Sequence, residues 1–349
     1  MTSSFPPLPS DPPPAPTGLW SKVPRSWGLI LRRALQGIPT LLLISLLSFF
    51  LLQLAPGDFL DQLRLDPTVG ADFIDQEAAR LGLDRPVWQQ YFIWLSNLLR
   101  GDFGLSYTYR IPVLRLLLSR AGATLMLAMA AVILTWLIAV PLGMVAAVRQ
   151  NTWLDRILRF LSYGGQAMPS FVLAILLLIV AQNVGWLPVG GMTSIDFDSL
   201  PLGAKIWDLL RHLLLPTLVL SITSFAGLQR ITRGSFLDVM KQDYIQSARA
   251  RGLPEWRVVG LHALRNAINP LVTILGFEFA SLLSGSFIAE FFFNWPGLGK
   301  LILDAVLNFD VNVVMASLLL GSVMLMLGNL LADLLLQWVD PRIRSESLD

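Results

Sequence analysis

Few side chains in this sequence are equipped for acid–base or metal chemistry. It holds two histidines, His212 and His262, and no cysteine. That excludes thiolate nucleophiles, thiolate metal sites and disulfides, and leaves almost no imidazole for proton transfer. No second soft ligand lies near His212 in sequence, so metal ligation is not expected; with Pro216 one turn later, it reads as a snorkelling or capping group. Gly297-Leu298-Gly299-Lys300 looks at first like a phosphate loop. GxxxxGK[ST], however, requires glycine at 294 and Ser or Thr at 301, where the chain has Asn294 and Leu301. A tight turn is the better reading, and no nucleotide, cofactor or metal ion is expected on this chain.

The elements that must position these residues are apolar. The 349 residues (38.6 kDa) are 54% hydrophobic and 14% charged, against about 25% charged in a soluble domain. The net charge of +2 is too near balance for a nucleic-acid binder. A spanning helix needs about 20 apolar residues to cross roughly 30 Å of hydrocarbon. Charge-free windows run over 34–57, 121–148, 160–195, 213–229 and 311–332, and a sixth over 266–289 is interrupted only by Glu278. The expectation is an all-α membrane protein with six transmembrane helices and both termini on one side. The N-terminus, 149–159, 229–266 and the C-terminus beyond Asp333 carry 16 basic and 8 acidic residues, against 10 and 14 in the opposite loops. Positive loops resist translocation, so both termini are expected to be cytoplasmic.

Residues 1–27 are rich in proline and read as a disordered cytoplasmic tail, without the basic start and short apolar run of a signal peptide. Domain organisation is then this tail followed by one membrane domain, 28–349. Trp20, Trp27, Trp153, Trp186, Trp207, Trp256, Trp295 and Trp338 all fall near expected helix ends, where indoles prefer the headgroup zone. Between helices 1 and 2, residues 56–120 include Pro56-Gly57-Asp58 and an amphipathic run from Val87 to Leu99, which suggests a folded external segment. Glu278 is ionisable at mid-helix depth and should not face lipid. It reads as a polar lining of a substrate path or a contact with a partner subunit, or as a neutral acid bonded to a neighbouring helix.

The connection between helices 4 and 5, about 230–266, is far longer than a turn requires. Asp243 can cap a helix whose third residue is Gln246, Arg249 and Arg251 suit its last turn, Gly252 supplies a left-handed stop, and Pro254 can open the next helix. The spacing predicts a helix over 244–251, about 12 Å long, too short to stand alone. Ser247, Ala248 and Ala250 make it thin enough for close approach. It either docks to a cytoplasmic partner or lies on the headgroups with its arginines on lipid phosphates.

At this loop the sequence resembles the membrane subunit of bacterial binding-protein-dependent ABC importers, specifically the dipeptide, oligopeptide and nickel permease family. The wider signature, Glu-Ala-Ala, Gly, then Ile-x-Leu-Pro, appears as Gln246-Ser247-Ala248, Gly252 and His262-Ala263-Leu264-Arg265, without the glutamate and proline. The peptide-permease version is matched by Asp243-Tyr244, Ala248 to Leu253 and His262 to Ala267. Further matches are Pro56-Gly57-Asp58, Leu81 to Asp84, Gly101 to Gly104, His212 with Pro216, Glu290 with Trp295 to Gly299, and Asp340 to Arg344. Asn312 departs from the family's usual proline, which puts the local outer-loop geometry in question.

The resemblance implies a non-catalytic permease subunit of the bacterial inner membrane, multi-pass, with ATP and Mg on partner ATPases. It implies a coupling helix at Asp243, Tyr244, Ser247, Ala248, Arg249, Ala250, Arg251, Gly252 and Leu253, seated in a groove of an ATPase. Glu290, Trp295, Pro296, Gly297 and Gly299 would belong to an outer gate region. Pro169, Ser170, Phe171 and Glu278 are candidates for the translocation path or a subunit contact. The implied partners are a second homologous permease forming a heterodimer, two ATP-binding cassette ATPases, an extracytoplasmic substrate-binding protein and the lipid bilayer. Peptide is the expected cargo, with chelated nickel or another small solute as alternatives. An ion-coupled secondary transporter is the alternative of another class; it should show inverted repeats and paired intramembrane charges. An intramembrane enzyme would need a buried His, Asp or metal cluster, which the sequence does not suggest.

Overall fold

The computed structural model describes residues 25–54, 57, 59–64 and 69–339. The tail up to residue 24, Pro56, Asp58 and the Asp340-to-Arg344 motif lie outside the described residues, while Arg25 to Trp27 of the expected tail already belong to the first helix. The elements are α1 Arg25–Leu54, α2 Phe59–Arg64, α3 Ala71–Leu81, α4 Val87–Leu99, α5 Val113–Val148, α6 Trp153–Ala167, α7 Ser170–Val184, α8 Leu202–Met240, α9 Asp243–Ala250, α10 Glu255–Arg257, α11 Leu264–Phe292, α12 Leu298–Leu307 and α13 Val311–Val339. Among the described residues no strand forms, and one isolated antiparallel bridge joins Leu105 to Pro112. Among the described residues four helices (α1, α5, α8 and α13) are long and apolar enough to cross a membrane, and the bent pair α6–α7 makes a fifth if it is one span.

Two helices extend well past their apolar windows. α5 starts eight residues before Ala121, and α8 covers 39 residues around the expected 213–229. Charge-free windows mark the hydrocarbon thickness, not the helix, because Arg115, Arg120, Lys205, Arg230 and Arg233 are good helix formers once outside it. At 1.5 Å per residue α8 is about 58 Å long, so its C-terminal end carries the chain well clear of a bilayer core. The first eleven residues of the expected 230–266 connection are therefore helical. His212 also changes place: it lies inside α8, buried, with Nδ1 2.8 Å from the Asp208 carbonyl, instead of at a helix end.

The window 160–195 is not one straight helix. α6 and α7 meet at 101° across Met168-Pro169. Proline removes an amide and disfavours helix for the residue before it, and Met168 is extended (φ −84°, ψ 121°). Pro141, Pro216 and Pro270, by contrast, sit inside continuous helices.

The bundle closes on small residues. Ala128, Thr135, Ala139, Gly143 and Ala146 form a buried stripe on α5 facing α8. A Cβ at Gly143 would lie 2.9 Å from the Gln229 carbonyl, so the two backbones approach as closely as glycine permits. Ser221 Oγ donates to the Ala131 carbonyl across the same seam. α13 packs on α11 and on α1, where Arg33 pairs with Asp333 at 2.6 Å. Outside the bundle, α4 coincides with the expected amphipathic run and buries Tyr91, whose hydroxyl lies 3.0 Å from Ser45 Oγ of α1.

Candidate functional site

α9 begins one residue earlier than the spacing predicts. Gln242 is its N-cap and makes no side-chain cap bond, so the Asp243–Gln246 capping box does not form; Gln246 Nε2 reaches the Lys241 carbonyl instead (3.4 Å). The expected left-handed stop at Gly252 forms, although the helix itself ends at Ala250 with Arg251 as its C-cap. Gly252 has φ +77°, its amide bonds the Arg249 carbonyl (2.9 Å), and the Leu253 amide bonds Ala248 (3.4 Å). That is a Schellman stop, in which the left-handed residue lets two orphan carbonyls find donors. Arg249 does not simply face the helix dipole: it makes a two-point pair with Glu255 (2.7 and 3.2 Å), which ties α9 to α10.

The helix is seated by only two residues. Ile245 and Ala248 are buried with Ala147, Phe236, Val258, Ala263 and Ala267, and Leu253 packs against the same cluster. Ala248 and Leu253 thus face their own chain and form the base of the helix. Asp243, Tyr244, Ser247, Arg249, Ala250, Arg251 and Gly252 remain exposed on the other side. Below the base the chain forms a π-helical turn, Val258–Ala263, which holds His262 half-buried before α11 begins.

At the far end of the bundle Glu290, Trp295, Gly297 and Gly299 converge. Glu290 is fully buried in the last turn of α11. Its carboxylate accepts from Thr124 Oγ1 (2.7 Å), Ser286 Oγ (3.0 Å) and the Lys300 amide (3.0 Å). Thr124 Oγ1 also accepts from the Leu298 amide (2.8 Å), so two of the free amides that open α12 are satisfied from α5 and α11. Trp295 is fully buried and donates Nε1 to the Ala123 carbonyl (2.9 Å). It is a core residue, not the headgroup anchor expected of it; Trp153, Trp186, Trp207 and Trp256 are exposed. The apparent phosphate loop is explained here too. The N-terminus of α12 does hold an anion, and the anion is the chain's own Glu290. Pro296 sits between these contacts, half-buried.

A neighbouring contact was missed in the sequence. Asp310 is fully buried and accepts from Ser106 Oγ (2.5 Å) and the Thr108 amide (3.0 Å), while its other oxygen meets the Val313 amide at the start of α13 (3.3 Å). Burial, and then the charge of Asp310, raise the pKa of the Tyr107 phenol and keep it neutral. Asn312, in place of the usual proline, donates Nδ2 to the Leu105 carbonyl (2.9 Å), and Gly104 leaves it room. The departure therefore adds a bond between the 101–112 loop and α13. Only the Asp-before-helix spacing at 310–313 hinted at this cap.

Glu278 accepts from Trp136 Nε1 at 2.9 Å across the α5–α11 contact and is half-buried. Pro169 precedes α7 without a side-chain cap, Ser170 is half-buried, and Phe171 is exposed. The structure does not bring these three residues into contact with Glu278. Among the described residues no group of three or more His, Asp or Glu is placed to hold a metal ion.

Residues 139–345 match the family described as "Binding-protein-dependent transport system inner membrane component", and residues 27–128 match its N-terminal counterpart. The chain is 40% identical over 316 residues to the oligopeptide transport system permease protein AppB of Bacillus subtilis, covering 90% of this chain and 98% of that protein. It is 38% identical to the glutathione transport system permease protein GsiC of Escherichia coli K12, with the same coverage. The fold is similar to a chain of the inward-facing MetNI methionine ABC transporter (TM-score 0.54, 16% identity), covering 65% of this chain and 97% of that one.

Proposed function

Because the chain belongs to the binding-protein-dependent transport system inner membrane component family, we propose that it forms one half of the translocation path of an ATP-driven peptide importer. It is a multi-pass inner-membrane subunit without catalysis of its own. In this reading α1, α5, the α6–α7 pair, α8, α11 and α13 make six crossings with both termini in the cytoplasm. α11 is counted because its 29 residues reach about 43 Å. Two ATPases, a second, homologous permease and an extracytoplasmic binding protein complete the assembly. Peptide is preferred as cargo because the relatives named for oligopeptide and glutathione transport match along nearly their whole length.

The observation that carries the mechanism is the seating of α9. A two-turn helix held by two buried side chains and stopped by a rigid cap presents its remaining face outward. ATP-driven closure of the ATPases would push on that face, and the cluster around Ile245 would pass the movement to α8 and α11, which reach towards the opposite end of the bundle. Affinity purification in gentle detergent tests this: two ATPase subunits and a second permease should be recovered with the chain. A chain that purifies alone and moves solute under an ion gradient would remove the proposal.

Within the path we assign Glu278 a lining role for peptide ammonium groups, since it is half-buried and takes the Trp136 donor on one of its two oxygens. Glu278→Gln preserves an acceptor for Trp136, so it should leave thermal stability unchanged and lower uptake of peptides with free amino termini several-fold. Normal uptake by the Gln variant, with reduced stability of Glu278→Leu, would make the residue a structural bond to Trp136 only.

A further inference from the structure

The inner ends of α6 and α8 enclose a cavity of about 130 Å³ lined by Arg159, Arg230, Arg233, Ser162, Gln166 and Gln229, among others. Its charge is unbalanced. The fully buried Asp155 is engaged by Arg233 through two bonds (2.8 and 2.9 Å) and lies 3.6 Å from Arg159. Arg230, one turn before Arg233, is exposed and has no carboxylate partner among the described residues. Three guanidiniums thus face one carboxylate. A donor is also left over: one end of the buried Gln229 carboxamide has no hydrogen-bond partner, while Arg159 Nε makes no hydrogen bond and lies 3.6 Å from Asp155 Oδ1. Ser162 Oγ fixes the other end of Gln229 at 2.9 Å.

Surplus positive charge with unfilled donors in a small cavity suits a tetrahedral oxyanion. The surroundings narrow its source. Phe160 and Leu161 stand exposed on α6 beside the arginines, and Trp153 is exposed at the start of the same helix. An apolar face next to a basic pocket, at the end of a membrane helix, matches a lipid with its phosphate in the pocket and its chains along the helix. We propose that this cavity binds the phosphate of an anionic phospholipid of the inner leaflet. The leaflet rests on the orientation proposed above; the chemistry of the pocket does not.

The test is thermal unfolding of the delipidated permease complex during titration with phosphatidylglycerol, phosphatidylcholine or inorganic phosphate, with ATPase recovery measured on the same samples. Phosphatidylglycerol should raise the unfolding midpoint and phosphatidylcholine should not. Arg230→Gln removes an unpaired surface charge and should fold normally, while raising the half-saturating lipid concentration about fivefold, from about 1 kcal/mol per basic residue at a lipid surface. Arg230→Lys should restore most of the effect. An equal response to inorganic phosphate would overturn the phospholipid assignment, and unchanged titration in both Arg230→Gln and Arg159→Gln would overturn the site. Because ATPase recovery is read separately, loss of lipid response with full recovery sinks this inference and leaves the importer reading standing.

Discussion

Gly299→Ala should abolish transport and sharply reduce the amount of folded subunit. A Cβ at 299 would sit 2.7 Å from the Phe287 α-carbon, a backbone atom that cannot step aside, and 2.9 Å from a Glu290 oxygen. Gly297 is tighter against the carboxylate itself, with a Cβ placed about 2.2 Å from Glu290 Cδ. Overpacking of this kind costs about 1–3 kcal/mol or more. Here it would also push the carboxylate off Thr124, Ser286 and the Lys300 amide. Leaving a buried carboxyl without its donors costs about 1–3 kcal/mol. The measurement is the unfolding midpoint of the purified complex beside peptide uptake in vesicles. Gly299→Ala with wild-type stability and uptake would mean that α12 can shift freely on α11, contrary to the packing described. Gly285, with open space around it, is the control position: Gly285→Ala should have little effect.

Ser247→Trp should have an equally large effect of a different kind. Ser247 is exposed on α9 next to the buried Ala248, so an indole there meets solvent in the isolated subunit and leaves its fold intact. Pressed against an ATPase it would fill the space that the small side chains leave. A lost central contact is worth about 2 kcal/mol or more, which is roughly a thirtyfold loss of affinity. Pull-down should therefore recover little ATPase, and uptake should fall with it, while the unfolding midpoint of the permease alone stays in place. Ile245→Asp is the contrasting variant. It places a charge in the cluster under the helix and should lower that midpoint itself. If Ser247→Trp retains full ATPase binding, the exposed face of α9 is not the docking surface.

What the sequence made legible depended on local signals. α9 and its stop could be read because Gly252 and the residues around it act within a few positions, and α4 because its apolar spacing is helical. The capping box failed for the same reason: Asp243 and Gln246 fit the pattern, but the chain turns at Gln242. Contacts between distant residues were not readable. Arg33 with Asp333, Ser106 with Asp310 and Asp155 with Arg233 each join segments whose approach is set by packing, and nothing near either partner announces the other. Ala248 is instructive because its small size was read as a sign of docking, whereas the same property lets it serve as a close-packed base. Side-chain size limits how near a neighbour can come and does not name the neighbour. The grouping of Glu290 with Gly297 and Gly299 was visible as a motif, yet its physical reason, a carboxylate filling the mouth of α12, required the coordinates.

The corner at Met168-Pro169 bears on how this subunit survives before assembly. A turn of 101° at exposed residues leaves the carbonyls that end α6 and the Ser170 and Phe171 amides without partners in their own helices. Hydrocarbon tolerates such groups only where protein or water meets them. A newly made copy waiting alone in the bilayer would present an unquenched polar notch, an invitation to quality-control proteolysis. Its cellular lifetime should therefore follow the supply of whatever covers that notch, and synthesis of the subunits in balanced amounts becomes a folding requirement as much as a genetic economy.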